Sequence, residues 1–264
     1  MDRPDWVSDT VDPGQPSAAR MYDYYLGGSH NFASDREMAS QVLDLFPDGR
    51  LLAQANRAFL HRSVRYLLDQ GIDQFLDLGS GIPTAGNVHE IATEANVVYV
   101  DLDPVAVAHS EAILAGVERA GIVHGDIRRP DEILDSPVTR RLLDFSRPVG
   151  LLMVAVLHFL GSDDEAAGVV SRFRDALPVG SGLVLAHGTL DSRPDEVKRL
   201  EEIYRESANP MTARSHSQIE RFLDGWDLVE PGLTWAVQWR PDWPDDVPSD
   251  PSWCGNYGAV GWKR

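Results

Sequence analysis

Apolar positions along this chain switch between two periods, and the switches mark its elements. Leu52, Ala55, Phe59, Leu60, Val64, Leu67 and Leu68 recur at helical spacing and end at Gly71, a natural helix stop. Residues 74–78 then read as a short buried strand running into Gly79, and Asn87 with Glu90 has the form of a capping box that opens a helix. Val97 to Val100 predicts a second strand, 104–120 a helix, and 122–124 a third strand. The run 150–157 is almost uninterrupted in its apolarity, as a strand covered on both faces would be. Ser162 and Glu165 cap a helix reaching about Leu177, and 182–187 predicts a fifth strand. Helices near 194–207 and 215–224 follow. The last strands are expected near 227–239 and 256–263, joined across a proline-rich loop at 241–251 that suits an antiparallel pair. Such alternation predicts an α/β fold with a doubly wound, mostly parallel sheet.

Composition narrows the setting. The chain has 264 residues, enough for one large domain. Residues 1–16 carry Asp2, Asp5, Asp9 and Asp12 with three prolines and predict a disordered acidic tail, leaving 17–264 as a single domain. No run approaches the ~18 apolar residues of a membrane span. The N-terminus lacks a secretory signal's basic start and apolar segment. The single cysteine, Cys254, excludes an internal disulfide, so a cytoplasmic location is expected. With 24 basic against 41 acidic residues the formal net charge is −17, which argues against nucleic acid and against an anionic membrane as partners.

The chemistry is concentrated at predicted strand ends, where an open α/β sheet binds its ligands. Asp77-Leu78-Gly79-Ser80-Gly81 follows the first strand, and its glycines let backbone approach a ligand that a Cβ would block. Asp101 ends the second strand, placed to accept both hydroxyls of an adenosine ribose. Asp126, after the third strand, is placed to accept an adenine amino group, with Leu102 and Ile127 sandwiching the ring. The plainer reading makes Gly79 and Gly81 a tight turn and the aspartates helix caps; three such features at matching strand ends favour a ligand, and only Asp103 is left as a cap. A dinucleotide is disfavoured, because Thr84 stands where the third glycine of G-x-G-x-x-G belongs and no Lys or Arg occurs from Asp77 to Val100. A phosphate-free cation, S-adenosylmethionine, suits this acidic stretch.

The chain also resembles a bacterial family of S-adenosylmethionine-dependent methyltransferases of largely unassigned substrate. The resemblance runs through Ala19-Arg20-Met21-Tyr22-Asp23-Tyr24-Tyr25-Leu26-Gly27-Gly28, Ala55-Asn56-Arg57-Ala58-Phe59-Leu60, the 74–84 segment, Val98 to Pro104, Val156-Leu157-His158-Phe159, Glu230-Pro231-Gly232 and Trp239-Arg240-Pro241. It covers about 17–264 and implies a Rossmann-like class I methyltransferase with a seven-stranded sheet, S-adenosylmethionine as cofactor, and binding at the strand ends just described.

Three further assignments complete the expected site. Residues 17–50 form a helical lid in which Tyr25 and the Gly27-Gly28 break fold over the methionine end of the cofactor, and Arg57 pairs with its carboxylate. His158, at the end of the fourth strand, is the candidate general base, whereas His187 is read as a histidine tying a strand end to backbone. Asp163-Asp164 lies in the first turn of a capped helix, so no metal is expected. The function expected is methyl transfer to oxygen or nitrogen of a small-molecule acceptor by a monomer or homodimer. The alternative is a protein that binds the cofactor or a metabolite without turnover.

Overall fold

The computed structural model describes residues 11–83, 86–243, 245, 247 and 249–264. Three helices open the chain: α1 (Ala18–Tyr25), α2 (Ala33–Leu45) and α3 (Gly49–Asp69). The sheet strands are β1 (Gln74–Leu78), β2 (Asn96–Asp101), β3 (Ala120–His124), β4 (Gly150–Val154), β5 (Gly182–Gly188), β6 (Trp226–Leu228), a two-residue β7 (Thr234–Trp235) and β8 (Asn256–Lys263). The connecting helices are α4 (Val88–Ile91), α5 (Pro104–Ile113), α6 (Pro130–Leu134), α7 (Pro137–Leu142), α8 (Asp163–Ala176), α9 (Pro194–Tyr204) and α10 (His216–Glu220).

Seven strands run in the order β3-β2-β1-β4-β5-β8-β6, with β7 beside β8. The first five are parallel, and β8 is antiparallel to β5 and to β6, as expected of the C-terminal pair. Alternate residues of a strand feed opposite faces. Leu76 and Leu151 join one buried cluster with Val169, Val170 and Phe173 of α8, whereas Phe75 and Leu152 join another with Phe59, Val64 and Leu67 of α3. Coverage on both faces explains why the central strands read as continuous apolar runs. Between β1 and β4 the winding reverses, because β2 and β3 build outward one way and β5 the other.

Several expected boundaries move. β4 ends at Val154 instead of Leu157, because Ala155 takes a left-handed φ of 61° and turns the chain into a short 3-10 turn over Leu157–Phe159. The apolar Val156 and Leu157 are buried by that turn, so their hydrophobicity reports packing and not strand. α5 stops at Ile113, not Ala120, and the expected strand near 227–239 breaks into β6, β7 and a 3-10 turn. Of the tail expected to be disordered, residues 1–10 lie outside the described residues, whereas 11–16 are packed. Val11 is buried with Ile82, Val105 and Ala106, and the Pro13 carbonyl accepts from Ser34 Oγ at 2.5 Å.

α1 and α2 are pinned to the sheet by a buried ionic cluster. Arg20 Nε donates to Asp35 Oδ2 at 2.9 Å and its Nη1 donates to Asp103 Oδ2 at 3.3 Å. Asp35 also accepts from the Ser17 N–H at 2.9 Å and the Phe32 N–H at 2.7 Å. Removing one partner from such a cluster leaves the remaining charges buried and uncompensated. Arg20→Ala is therefore expected to cost about 3–5 kcal/mol in denaturant-induced unfolding; a loss below about 1 kcal/mol would show that the cluster does not hold the N-terminal helices in place.

Candidate active site

The C-terminal ends of β1, β2 and β4 surround a cavity of about 500 Å³, within the size range usual for small-ligand sites. Register fixes this convergence: Leu78 pairs with Val100, Asp77 with Leu152, and Asp101 with His124. At the switch point the backbone of β1 comes close to β4. A Cβ on Gly79 would stand 2.3 Å from Val156 Cγ2, and the φ of +71° at Gly79 independently calls for glycine. Gly81, at φ +69°, differs: a Cβ there would meet nothing within 4 Å, so its bare backbone faces open space.

Asp101 is the hinge of this arrangement. Its Oδ2 accepts from the Gly81 N–H at 2.7 Å and its Oδ1 from the Asp103 N–H at 2.8 Å. One carboxylate thus ties the glycine loop to the end of β2. Asp103 caps α5 by accepting from the Val105 N–H at 2.7 Å, as expected, and also receives Ser17 Oγ and Arg20 from the N-terminal segment. Burial pushes the Asp101 carboxyl up to about 6 against the backbone hydrogen bonds it accepts. Burial likewise pushes Asp77 up to about 7, against the pull of Arg57 and with the help of Asp101.

Nearly every residue expected at the site lines this one cavity: Arg57, Asp77, Gly79, Ser80, Gly81 and Asp101, then Leu102, Asp126 and Ile127, with Tyr25 and His158 on the far side. Leu102 keeps 46% of its surface exposed although it is apolar, while Ile127 is buried. Asp126 is not a bare acceptor, because Arg128 engages it through its N–H at 2.9 Å and its guanidinium at 3.0 Å. Gly28 lies outside the cavity lining. It serves as the stop of α1, where its N–H donates to the Asp23 carbonyl at 2.8 Å and its carbonyl accepts from Asn31 Nδ2 at 3.1 Å.

Among the described residues, Arg57 is the one arginine of the cavity that makes no ion pair within 4.0 Å, and its buried Nε has no hydrogen-bond partner. Ser80 Oγ and His158 Nδ1 are likewise buried and without a hydrogen-bond partner. A cradle of this kind fits an adenosine that carries an amino acid and no phosphate: acids for the sugar and the positive charge, an unpaired arginine for a carboxylate, and exposed backbone at Gly81.

Sequence reasoning missed what lies behind His158. Arg214 is fully buried and donates to Asp163 Oδ1 at 2.7 Å, the Leu157 carbonyl at 3.2 Å and the Leu160 carbonyl at 2.8 Å. It also meets His187 Nε2 at 3.0 Å, while His187 Nδ1 lies 2.7 Å from the Gly188 carbonyl. This pairing makes Nδ1 the protonated nitrogen and gives His187 the structural role expected of it. Asp163, in the first turn of α8, is thereby occupied by Arg214 and by Gln218 Nε2 at 3.0 Å. Burial, with Arg214 nearby, lowers His158 to about 3, so its imidazole is neutral at pH 7. Nothing in the sequence distinguishes Arg214 from the many other arginines.

The model of the S-adenosyl methyltransferase family matches residues 4–264. The chain belongs to that family. A protein of the DUF574 family from Streptomyces avermitilis MA-4680 is 38% identical, with a TM-score of 0.91 over 96% of this chain and 99% of that one. A candidate methyltransferase from Thermobifida fusca YX is 39% identical, with a TM-score of 0.91 over 98% and 99%. N-methyltransferase NodS from Bradyrhizobium japonicum WM9, solved with S-adenosyl-L-homocysteine, shares the fold alone, at 14% identity and a TM-score of 0.52 over 92% and 98%. No curated protein matches the chain. This methyltransferase is therefore an S-adenosylmethionine-dependent enzyme of the Rossmann-like class I fold. Among its described residues, no helix is long and apolar enough to cross a membrane.

The raised carboxyl of Asp77 has a consequence for stability. Below about pH 4 the group is protonated in folded and unfolded chains alike. Between pH 4 and 7 the unfolded chain gives up its proton first, so this group's contribution to stability falls as pH rises and is lost above about 7. Asp77→Asn removes that loss. Without ligand, the variant is expected to gain stability over the parent between pH 4 and pH 8, by on the order of 2–4 kcal/mol in denaturant unfolding. A difference that does not vary with pH would contradict the shift.

Proposed function

We propose that this methyltransferase moves a methyl group from S-adenosylmethionine to oxygen or nitrogen of a small-molecule acceptor, in the cytoplasm. The observation that carries this reading is the continuity of the cavity. From the glycine loop it runs past His158 into a chamber walled by the buried side chains of Tyr25, Phe46 and Tyr204. Side chains drawn from α1, α2 and α9 enclose that chamber as they would a small molecule and not a polymer strand.

In this reading Asp101 takes the ribose hydroxyls, Asp126 the adenine amino group, and Leu102 and Ile127 the faces of the ring. Asp77, Gly79, Ser80 and Gly81 line the amino-acid arm, and Arg57 takes its carboxylate. When bound, S-adenosylmethionine supplies a methyl group already activated by its sulfonium. The work left to the chain is alignment and exclusion of water. α1 and α2 act as the lid, held over the site through Arg20 and Asp103. His158, neutral at pH 7, receives the proton of an acceptor that must lose one.

Asp101→Ala is expected to weaken S-adenosylmethionine binding by about 1–3 kcal/mol in calorimetry; unchanged affinity in a folded variant removes Asp101 from the site. His158→Ala is expected to slow release of S-adenosylhomocysteine from a metabolite extract by about tenfold or more, with cofactor affinity kept within about twofold. Unaltered turnover would make His158 a packing residue.

A further inference from the structure

Charge is segregated along the cavity. Among the described residues its carboxylates are Asp12, Asp77, Asp101, Asp103 and Asp126. Asp77 is the penultimate residue of β1, Asp101 ends β2, Asp103 and Asp126 follow β2 and β3, and Asp12 adjoins Val11, which packs against Val105 of α5. The other half is lined by Tyr25, Phe46, Phe159, Tyr204, Met211 and Trp253, with no acid among them. Its aromatic wall is continuous: the His158 ring lies 4.4 Å from Phe159, and Phe159 lies 6.4 Å from Tyr204 at a 34° tilt. The Tyr204 and Tyr25 hydroxyls face each other. Gly188 leaves room where these parts meet. A Cβ there would sit 3.6 Å from His158 Nδ1, 3.7 Å from Asn256 Oδ1 and 3.8 Å from Met211 Cε.

We propose that the acceptor is an uncharged aromatic hydroxyl compound, a phenol or a larger hydroxylated ring system, and not a cationic amine. The inference rests on the methyl-transfer reading above. A protonated amine entering this half would give up its hydration with no carboxylate to replace it. An aromatic box can hold a cation over its ring faces, but Arg193 already presents its guanidinium here, 5.6 Å above the Phe46 ring. A flat ring gains area and offset contacts against Phe159 and Tyr204. The acceptor oxygen bonds to the methyl carbon as the carbon–sulfur bond breaks and its electron pair returns to sulfur. The hydroxyl proton passes to the neutral imidazole of His158, which lines the cavity.

The test uses the full chain saturated with S-adenosylhomocysteine and titrated calorimetrically with matched probes: phenol against benzylamine, and naphthol against naphthylmethylamine. Each hydroxyl compound is expected to bind at least about tenfold more tightly than its amine. With S-adenosylmethionine in place of the product, naphthol is expected to yield its methyl ether. Met211→Glu, which adds a carboxylate to a half-buried wall position, is expected to move the naphthol-to-amine ratio by about tenfold or more toward the amine, with cofactor affinity unchanged. Equal or tighter amine binding, no binding of either hydroxyl probe, or a ratio indifferent to Met211→Glu overturns the inference. If S-adenosylmethionine itself does not bind, or a metabolite extract yields no S-adenosylhomocysteine, the methyl-transfer reading fails. Turnover on a non-aromatic acceptor defeats only the aromatic proposal.

Discussion

The Asp101 carboxylate, with one oxygen on the Gly81 N–H and the other on the Asp103 N–H, fixes the glycine loop to the end of β2, and the rest of the site is placed relative to those two bonds. On one side, Asp103 passes the connection to Ser17 and Arg20 and so to the helices that cover the cavity. On the other, the loop's first glycine meets Val156 of the β4 turn so closely that no side chain fits between them. The two ends of the cavity are therefore coupled mechanically through two glycines and two aspartates. Asp101 is held in place although burial disfavours its charge, and a polar ligand arriving at its free lone pairs meets an acceptor already oriented.

The β4 turn fixes one end of the cavity as Asp101 fixes the other. Ala155 sits in the left-handed region, a conformation that costs a non-glycine residue on the order of 1 kcal/mol and persists only when its surroundings enforce it. Here the enforcing contacts are visible. Ala155 donates its N–H to the Ala186 carbonyl at 2.9 Å, and Arg214 grips the carbonyls of Leu157 and Leu160 from behind. The outcome is a histidine presented to the cavity on a turn with little freedom, its ring wedged against Phe159 and its charge suppressed by burial beside a permanent cation. A neutral imidazole suits uptake of a proton from an oxygen that turns strongly acidic as it gains a methyl group.

Strand ends were legible because parallel strands buried on both faces give long apolar runs that stop abruptly at polar residues, as at Asp101. Since the topology gathers those ends, reading them also gathered most of the acidic half of the cavity. The aromatic half was opaque for the opposite reason. Tyr25, Phe46, Phe159 and Tyr204 come from four separate segments, and each taken alone is an ordinary aromatic in an ordinary pattern. Arg214 was equally hidden, since an arginine buried by four side-chain polar contacts and one on the surface look alike in a sequence. Gly28 misled because a glycine pair marks a helix stop and a hinge with the same letters. Residues 11–16 misled because proline and aspartate signal irregular backbone, which the structure shows, without saying whether it packs.

The most direct measurement is a crystal structure of the protein grown with S-adenosylhomocysteine. The account predicts the ribose on Asp101, the adenine between Leu102 and Ile127, the amino acid over Gly79 to Gly81 with its carboxylate toward Arg57, and the sulfur facing the His158–Phe159 wall. A nucleoside seated away from Asp101, or an amino-acid arm pointing from the glycine loop toward Asp126, would contradict it.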